Sequence, residues 1–84
     1  MKWRIVFART AERELARLSS DAQLRVARAI RSLEDTPISG STKRLKGRRE
    51  FRVRVGDYRV LYRLEYQNRV LTIVAIGHRR DVYR

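Results

Sequence analysis

Apolar and charged residues alternate twice between Glu50 and Glu65, EFRVRVGDYRVLYRLE, with Gly56-Asp57 separating the two runs. Phe51, Val53 and Val55 fall on one face and Arg52 and Arg54 on the other; then Tyr58, Val60, Tyr62 and Leu64 alternate with Arg59, Leu61 and Arg63. A period of two predicts strands with one buried face. The Gly-Asp break predicts a β-hairpin whose turn needs positive φ at one centre. Packing both apolar faces on one core sends Arg52, Arg54 and Arg59 together to the opposite face.

The rest of the chain supplies that core. Residues 2–7 are rich in β-branched and aromatic side chains and predict a first strand. Thr10, placed before Ala11-Glu12-Arg13-Glu14, is the expected N-cap of a first helix that turns Leu15 and Leu18 inward and stops near Ser19-Ser20. Ser20 or Asp21 is expected to cap a second helix running to about Asp35. Its Ala22, Val26, Ala29, Ile30 and Leu33 recur at helical spacing, while Arg25, Arg28 and Arg31 line another face. Pro37 and Gly40 mark a turn-rich connector. The stretch from Arg69 to Gly77 is nearly apolar on both faces and predicts a last strand inside the sheet.

Charge then narrows the function. The 84 residues hold 21 Lys and Arg against 9 Asp and Glu, a formal net charge of +12. The excess is uneven: residues 43–84 carry 13 basic and 4 acidic residues, residues 1–42 only 8 and 5. The basic surface therefore belongs mainly to the sheet half. With 43% hydrophobic residues the chain can build a core, so a disordered basic tail is excluded, and its length predicts one domain spanning residues 1–84. The charge points to nucleic acid, an anionic membrane or a strongly acidic protein. Absence of cysteine excludes disulfides, thiol catalysis and thiolate metal sites. No stretch approaches a spanning helix or a signal peptide, so a cytoplasmic protein without cofactor or metal is expected.

Three groups of residues are candidates for chemistry. Arg52, Arg54 and Arg59 either occupy solvated strand positions or meet a polyanion. Lys43-Arg44-Leu45-Lys46-Gly47-Arg48-Arg49 holds five basic residues in seven positions, able to follow a phosphate backbone or to form a basic loop. The ending Gly77-His78-Arg79-Arg80-Asp81-Val82-Tyr83-Arg84 gathers the one histidine, three arginines and a tyrosine directly after a strand.

The order β-α-α-β-β-β, together with Leu45-Lys46-Gly47, Phe51-Arg52-Val53-Arg54, Tyr58-Arg59-Val60-Leu61-Tyr62 and Ile76-Gly77-His78-Arg79-Arg80-Asp81-Val82-Tyr83, resembles the RelE/ParE superfamily of toxins from toxin–antitoxin pairs. The resemblance implies an α+β fold: a small twisted, mainly antiparallel sheet with a parallel N-terminal edge, packed against the helical hairpin. For the RelE branch it implies a ribosome-dependent endoribonuclease that cuts mRNA in the decoding site. For the ParE branch it implies a DNA gyrase inhibitor. A plain nucleic-acid-binding module is the third alternative.

By resemblance Arg52, Arg54, Arg59, Arg79 and Tyr83 fall on the family's functional positions, and Lys43, Arg44, Lys46, Arg48 and Arg49 are expected to contact RNA and ribosome. Several relatives carry lysines where Arg52 and Arg54 stand. Arginine does not shed its proton, so His78 is the expected proton acceptor, with Asp57 and Asp81 as weaker ones. The resemblance also implies a cognate acidic antitoxin as partner, together with ribosome and mRNA.

Overall fold

The double alternation folds as a hairpin of two antiparallel strands in the computed structural model, which describes residues 2–40, 42–45, 47 and 49–78. In chain order the elements are β1 (Arg4–Phe7), α1 (Arg9–Ala16), α2 (Ser20–Ser32), β2 (Thr42–Arg44), β3 (Phe51–Val55), β4 (Tyr58–Glu65) and β5 (Val70–His78). They form one five-stranded sheet of order β1-β5-β4-β3-β2. Only the β1–β5 pair is parallel. The expected α+β class is present, with one strand more than the sequence pattern showed. The added β2 is three residues long, too short for alternation to be read.

Gly56 takes φ +60° between β3 and β4, while Asp57 does not enter the positive region. That combination is the mirror-image turn that matches the right-handed twist of a two-residue hairpin. The turn sets the register: Val55 opposes Tyr58, Arg54 opposes Arg59 and Phe51 opposes Tyr62.

Both helices lie on one face of the sheet. Ala11, Val26, Ile30 and Leu33 meet Val53, Val60, Tyr62, Leu71, Ile73 and Ile76 in the buried core, with Trp3 closing one end. Burying a Val, Leu or Ile side chain stabilises by about 1.5–3 kcal/mol, so the inward set recognised from periodicity accounts for the main folding force. Among the described residues, no helix is long and apolar enough to cross a membrane.

The helix ends differ from expectation in detail. Thr10 lies within the first turn of α1, and Ala8 is the N-cap without a side-chain cap bond. The Ala8 N–H instead completes the ladder by donating to the Ile73 carbonyl at 2.9 Å, so sheet pairing sets where the helix starts. Ser19 caps α2, its Oγ accepting from the Ala22 N–H at 3.3 Å. The helix gives way at Leu33, two residues before Asp35.

Two further contacts tie the sheet to its surroundings. β1 pairs β5 only as far as Phe7 with Ile73. Beyond that point the Ile76 N–H donates to Glu14 Oε1 of α1 at 2.8 Å, so a helix carboxylate takes over the role of a missing strand. On the other side, Tyr62 is fully buried, stacks on Phe51 with centroids 5.7 Å apart and donates its hydroxyl to the Pro37 carbonyl at 2.6 Å. This bond anchors the connector between α2 and β2. Burial pushes the Tyr62 phenol above its ordinary 10.0, with a hydrogen bond to the Thr42 hydroxyl pulling the other way.

The Tyr62 contacts generate a prediction. Tyr62→Phe leaves the Pro37 carbonyl without this donor and is expected to cost about 1–2 kcal/mol in denaturant unfolding at neutral pH. Because the folded-state pKa is raised, the phenol's contribution is fully present below pH 10.0 and is lost as pH rises past that value. Stability of the native chain therefore falls more steeply above that pH than that of Tyr62→Phe, and the gap between the two melting curves narrows.

Candidate functional site

The face of the sheet away from the helices carries the arginines in ordered rows. Direct opposition across an antiparallel pair puts two side chains on one face with Cβ atoms about 4.5–5.5 Å apart. Arg54 opposes Arg59, and Arg59 opposes Gly77 of β5. In the next row Lys43 of β2 opposes Arg52, Arg52 opposes Leu61, and Leu61 opposes Ala75. Three expected site residues, Arg52, Arg54 and Arg59, thus share one surface with Lys43.

The floor of this surface is apolar and low. Leu61 is 1% exposed although it lies outside the main core cluster. Ala75 and Gly77 contribute almost no side chain beside it. Half-burial of Arg52 and Arg59 places their charges where the effective dielectric is lower than in water, which strengthens their pull on an anion.

Arg63 belongs to the same face but is committed elsewhere: its Nε donates to Glu50 Oε2 at 3.1 Å. Glu50 is 8% exposed, so this pair is a structural closure at the far end of the rows. Among the described residues, no ion pair involves Arg52 or Arg54. Like charges directly opposite are destabilising, and the row is therefore suited to a multivalent anion that bridges its members.

The structure separates other expected residues from this cluster. His78 opposes Tyr58, and the two rings meet edge to face with centroids 6.2 Å apart and planes at 78°. Tyr58 alternates with Arg59, so His78 is exposed on the face opposite the arginine row. Asp57 is exposed in the hairpin turn. Arg44 opposes Phe51 and takes the helix side of the sheet, away from its neighbour Lys43. Arg49 is exposed ahead of β3. Lys46, Arg48, Arg79, Asp81 and Tyr83 lie outside the described residues. Among the described residues, no group of three His, Asp or Glu side chains is arranged to hold a metal ion.

Lys43, expected as part of the basic run, joins Arg52 through β2, a pairing its three residues gave no period to foresee. Sequence reasoning missed other contributors. Ala75 and Gly77 lie beside Leu61 and Arg59, which was legible only as an apolar run. Glu14 holds the end of β5, and it was read solely as a helix-start acid.

The whole chain has relatives with the same architecture. The family model for the ParE toxin of type II toxin–antitoxin systems matches residues 5–83. Toxin RelG of Mycobacterium tuberculosis is 31% identical over 86 residues, covering 100% of this chain and 99% of that protein. Among solved structures, the toxin–antitoxin complex RelBE2 from Mycobacterium tuberculosis superposes with a TM-score of 0.82 at 27% identity, covering 94% of this chain and 100% of that one. The archaeal RelE–RelB complex from Pyrococcus horikoshii OT3 gives 0.83 at 24% identity, covering 98% and 100%.

The opposed arginines make a measurable trade. Arg54→Thr removes one of two facing charges and places a good strand former there. It is expected to raise stability by about 0.2–1 kcal/mol in thermal or denaturant unfolding. The same variant is expected to bind single-stranded nucleic acid more weakly, with a salt slope smaller by about one in a titration over several salt concentrations.

Proposed function

Because the chain belongs to the RelE/ParE superfamily of toxins from type II toxin–antitoxin systems, we propose that it acts as a ribosome-dependent endoribonuclease that cuts mRNA in the decoding site and so inhibits translation. The observation that carries this reading is the Arg54–Arg59 row set beside Gly77, with Arg52 and Lys43 in the next row. A site of facing guanidiniums on an apolar floor suits a phosphate, which accepts paired, charge-assisted hydrogen bonds from arginine.

In RNA cleavage the 2′-hydroxyl oxygen bonds to the adjacent phosphorus while the bond to the 5′-oxygen breaks. The 2′-hydroxyl proton leaves, another proton arrives at the 5′-oxygen, and negative charge builds on the phosphoryl oxygens between these events. Arg59 and Arg52 clamp that charge, with Arg54 beside them. By family resemblance Arg79 adds a further guanidinium, and Tyr83 stacks on a base or orients the 2′-hydroxyl. Charge stabilisation is thus the protein's main share of catalysis. The place of His78 on the Tyr58 side of the sheet makes its contribution the smaller one. Lys43, Arg44, Lys46, Arg48 and Arg49 add sequence-independent attraction to ribosomal RNA.

The partner is a cognate acidic antitoxin that orders on binding and offsets part of the +12 charge. Both similar structures described above are complexes of toxin with antitoxin. A second reading, a gyrase inhibitor without nuclease activity, is favoured by one observation, the ParE description of the matching family model.

Mapping mRNA 5′ ends with and without translation separates these readings. Translation-dependent cuts within codons are expected from the native chain. Arg59→Gln is expected to slow cleavage by about 10²–10³-fold, the usual loss for one transition-state donor, whereas His78→Gln loses less than about tenfold. Growth arrest with intact messages, together with inhibited supercoiling by purified gyrase, would establish the second reading instead.

A further inference from the structure

A second opening lies on the other side of the sheet, beyond the cover of the helices. Arg44, Arg49, Phe51, Leu64 and Tyr66 line an open cavity of about 200 Å³. None of these residues belongs to the arginine rows, because Arg44 and Phe51 oppose each other on the helix side of the sheet. Phe51 and Leu64 are partly buried against the core and make an apolar floor. Parallel stacking on the buried Tyr62 holds the Phe51 ring in place.

Tyr66 is the unusual member. It follows β4, is 63% exposed, and is braced edge-on by Trp3, with centroids 5.5 Å apart and planes at 83°. Trp3 is only 9% exposed, so a buried ring fixes the orientation of an exposed one. An exposed aromatic ring lining the same cavity as two arginines complements a planar group that carries negative charge. Among the described residues, no carboxylate lines the cavity.

We propose that this cavity is a nucleotide subsite that takes one unpaired RNA nucleotide, its base against Tyr66 and its phosphate between Arg44 and Arg49. The proposal rests on the reading of RNA as the target. Size favours a base over a protein partner: the cavity admits a single planar group, whereas a docked helix needs a groove for several side chains spaced along it. Charge agrees, since Arg44 and Arg49 are two of the five basic residues between positions 43 and 49, which neighbouring phosphates can follow. The protein then grips RNA on both faces of one sheet.

The test titrates the purified full chain with a fluorescein-labelled, unstructured RNA oligonucleotide at several salt concentrations, with thermal melts to check folding. Tyr66→Ala is expected to weaken binding about five- to hundredfold with an unchanged salt slope, because stacking releases no counterions. Tyr66→Phe keeps the ring and the affinity. Arg44→Gln and Arg49→Gln each lower the slope by about one. Tyr66→Leu keeps apolar packing on Trp3 without a stacking face, and it serves in place of Tyr66→Ala if that variant does not fold. RNA binding by Tyr66→Leu at the native level overturns the subsite alone. A native chain that binds no RNA overturns the subsite, while translation-dependent cuts in mapped mRNA 5′ ends decide the nuclease reading separately. A glutamate-rich peptide that binds in a Tyr66-dependent manner while RNA binding ignores Tyr66 assigns the cavity to an acidic protein.

Discussion

Two like charges face each other across β3 and β4 because a two-residue turn leaves them no alternative. With Gly56 at φ +60° the loop is as short as a hairpin allows, and Val55 must oppose Tyr58. Arg54 then opposes Arg59. A register slip of one residue would send both arginines toward the core and Val53 and Val60 toward water. The buried pair Val53 and Val60 therefore fixes the charged pair on the other side. Repulsion between the guanidiniums costs less than exposing that apolar face, and core packing wins.

The same logic continues into β5. Gly77 and Ala75, with at most a methyl group for a side chain, occupy the positions beside Arg59 and Leu61. On its other side β5 loses its β1 partner beyond Ile73. Its free edge is secured from the side instead, by the Ile76 N–H to Glu14 bond and by the edge-to-face contact of His78 with Tyr58. Helix α1 is thus coupled to the strand from which residues 79–84 continue. An unpaired, buried N–H would cost about 1–3 kcal/mol, so Glu14 is a structural part of the site although it bears the opposite charge.

Most of the fold was legible because each strand and helix obeys its period. The arginine cluster followed directly from alternation at Arg52, Arg54 and Arg59 once the turn was recognised. Three features were not legible, each for a physical reason. A three-residue β2 has no period, so Lys43 and Arg44 looked like one basic run although they point to opposite faces. His78 stood next to Gly77 and Arg79 in sequence and was grouped with the arginines. In a strand, however, neighbours alternate faces, and pairing with Tyr58 puts His78 on the far side from Arg59. Thr10 carried a capping signal that the Ala8–Ile73 ladder bond overrode, a case of tertiary pairing prevailing over local preference.

The charges that suit this protein to a polyanion also govern how it responds to ionic strength, and the two responses have opposite signs. Salt screens the repulsion between Arg54 and Arg59, which stabilises the free chain. It also competes with phosphates for the same guanidiniums, which weakens any nucleic-acid complex. Stability and binding cannot both be optimal at one salt concentration. The compromise is eased by the uneven use of charge on the sheet. Arg63 is closed off by the poorly exposed Glu50, so the end of the rows nearest that pair contributes to folding, while Arg52, Arg54 and Arg59 remain as the cationic surface. A polyanion that bridges them offsets the repulsion between the facing guanidiniums. Facing charges on this sheet thus trade a small cost in folding for attraction to an anion.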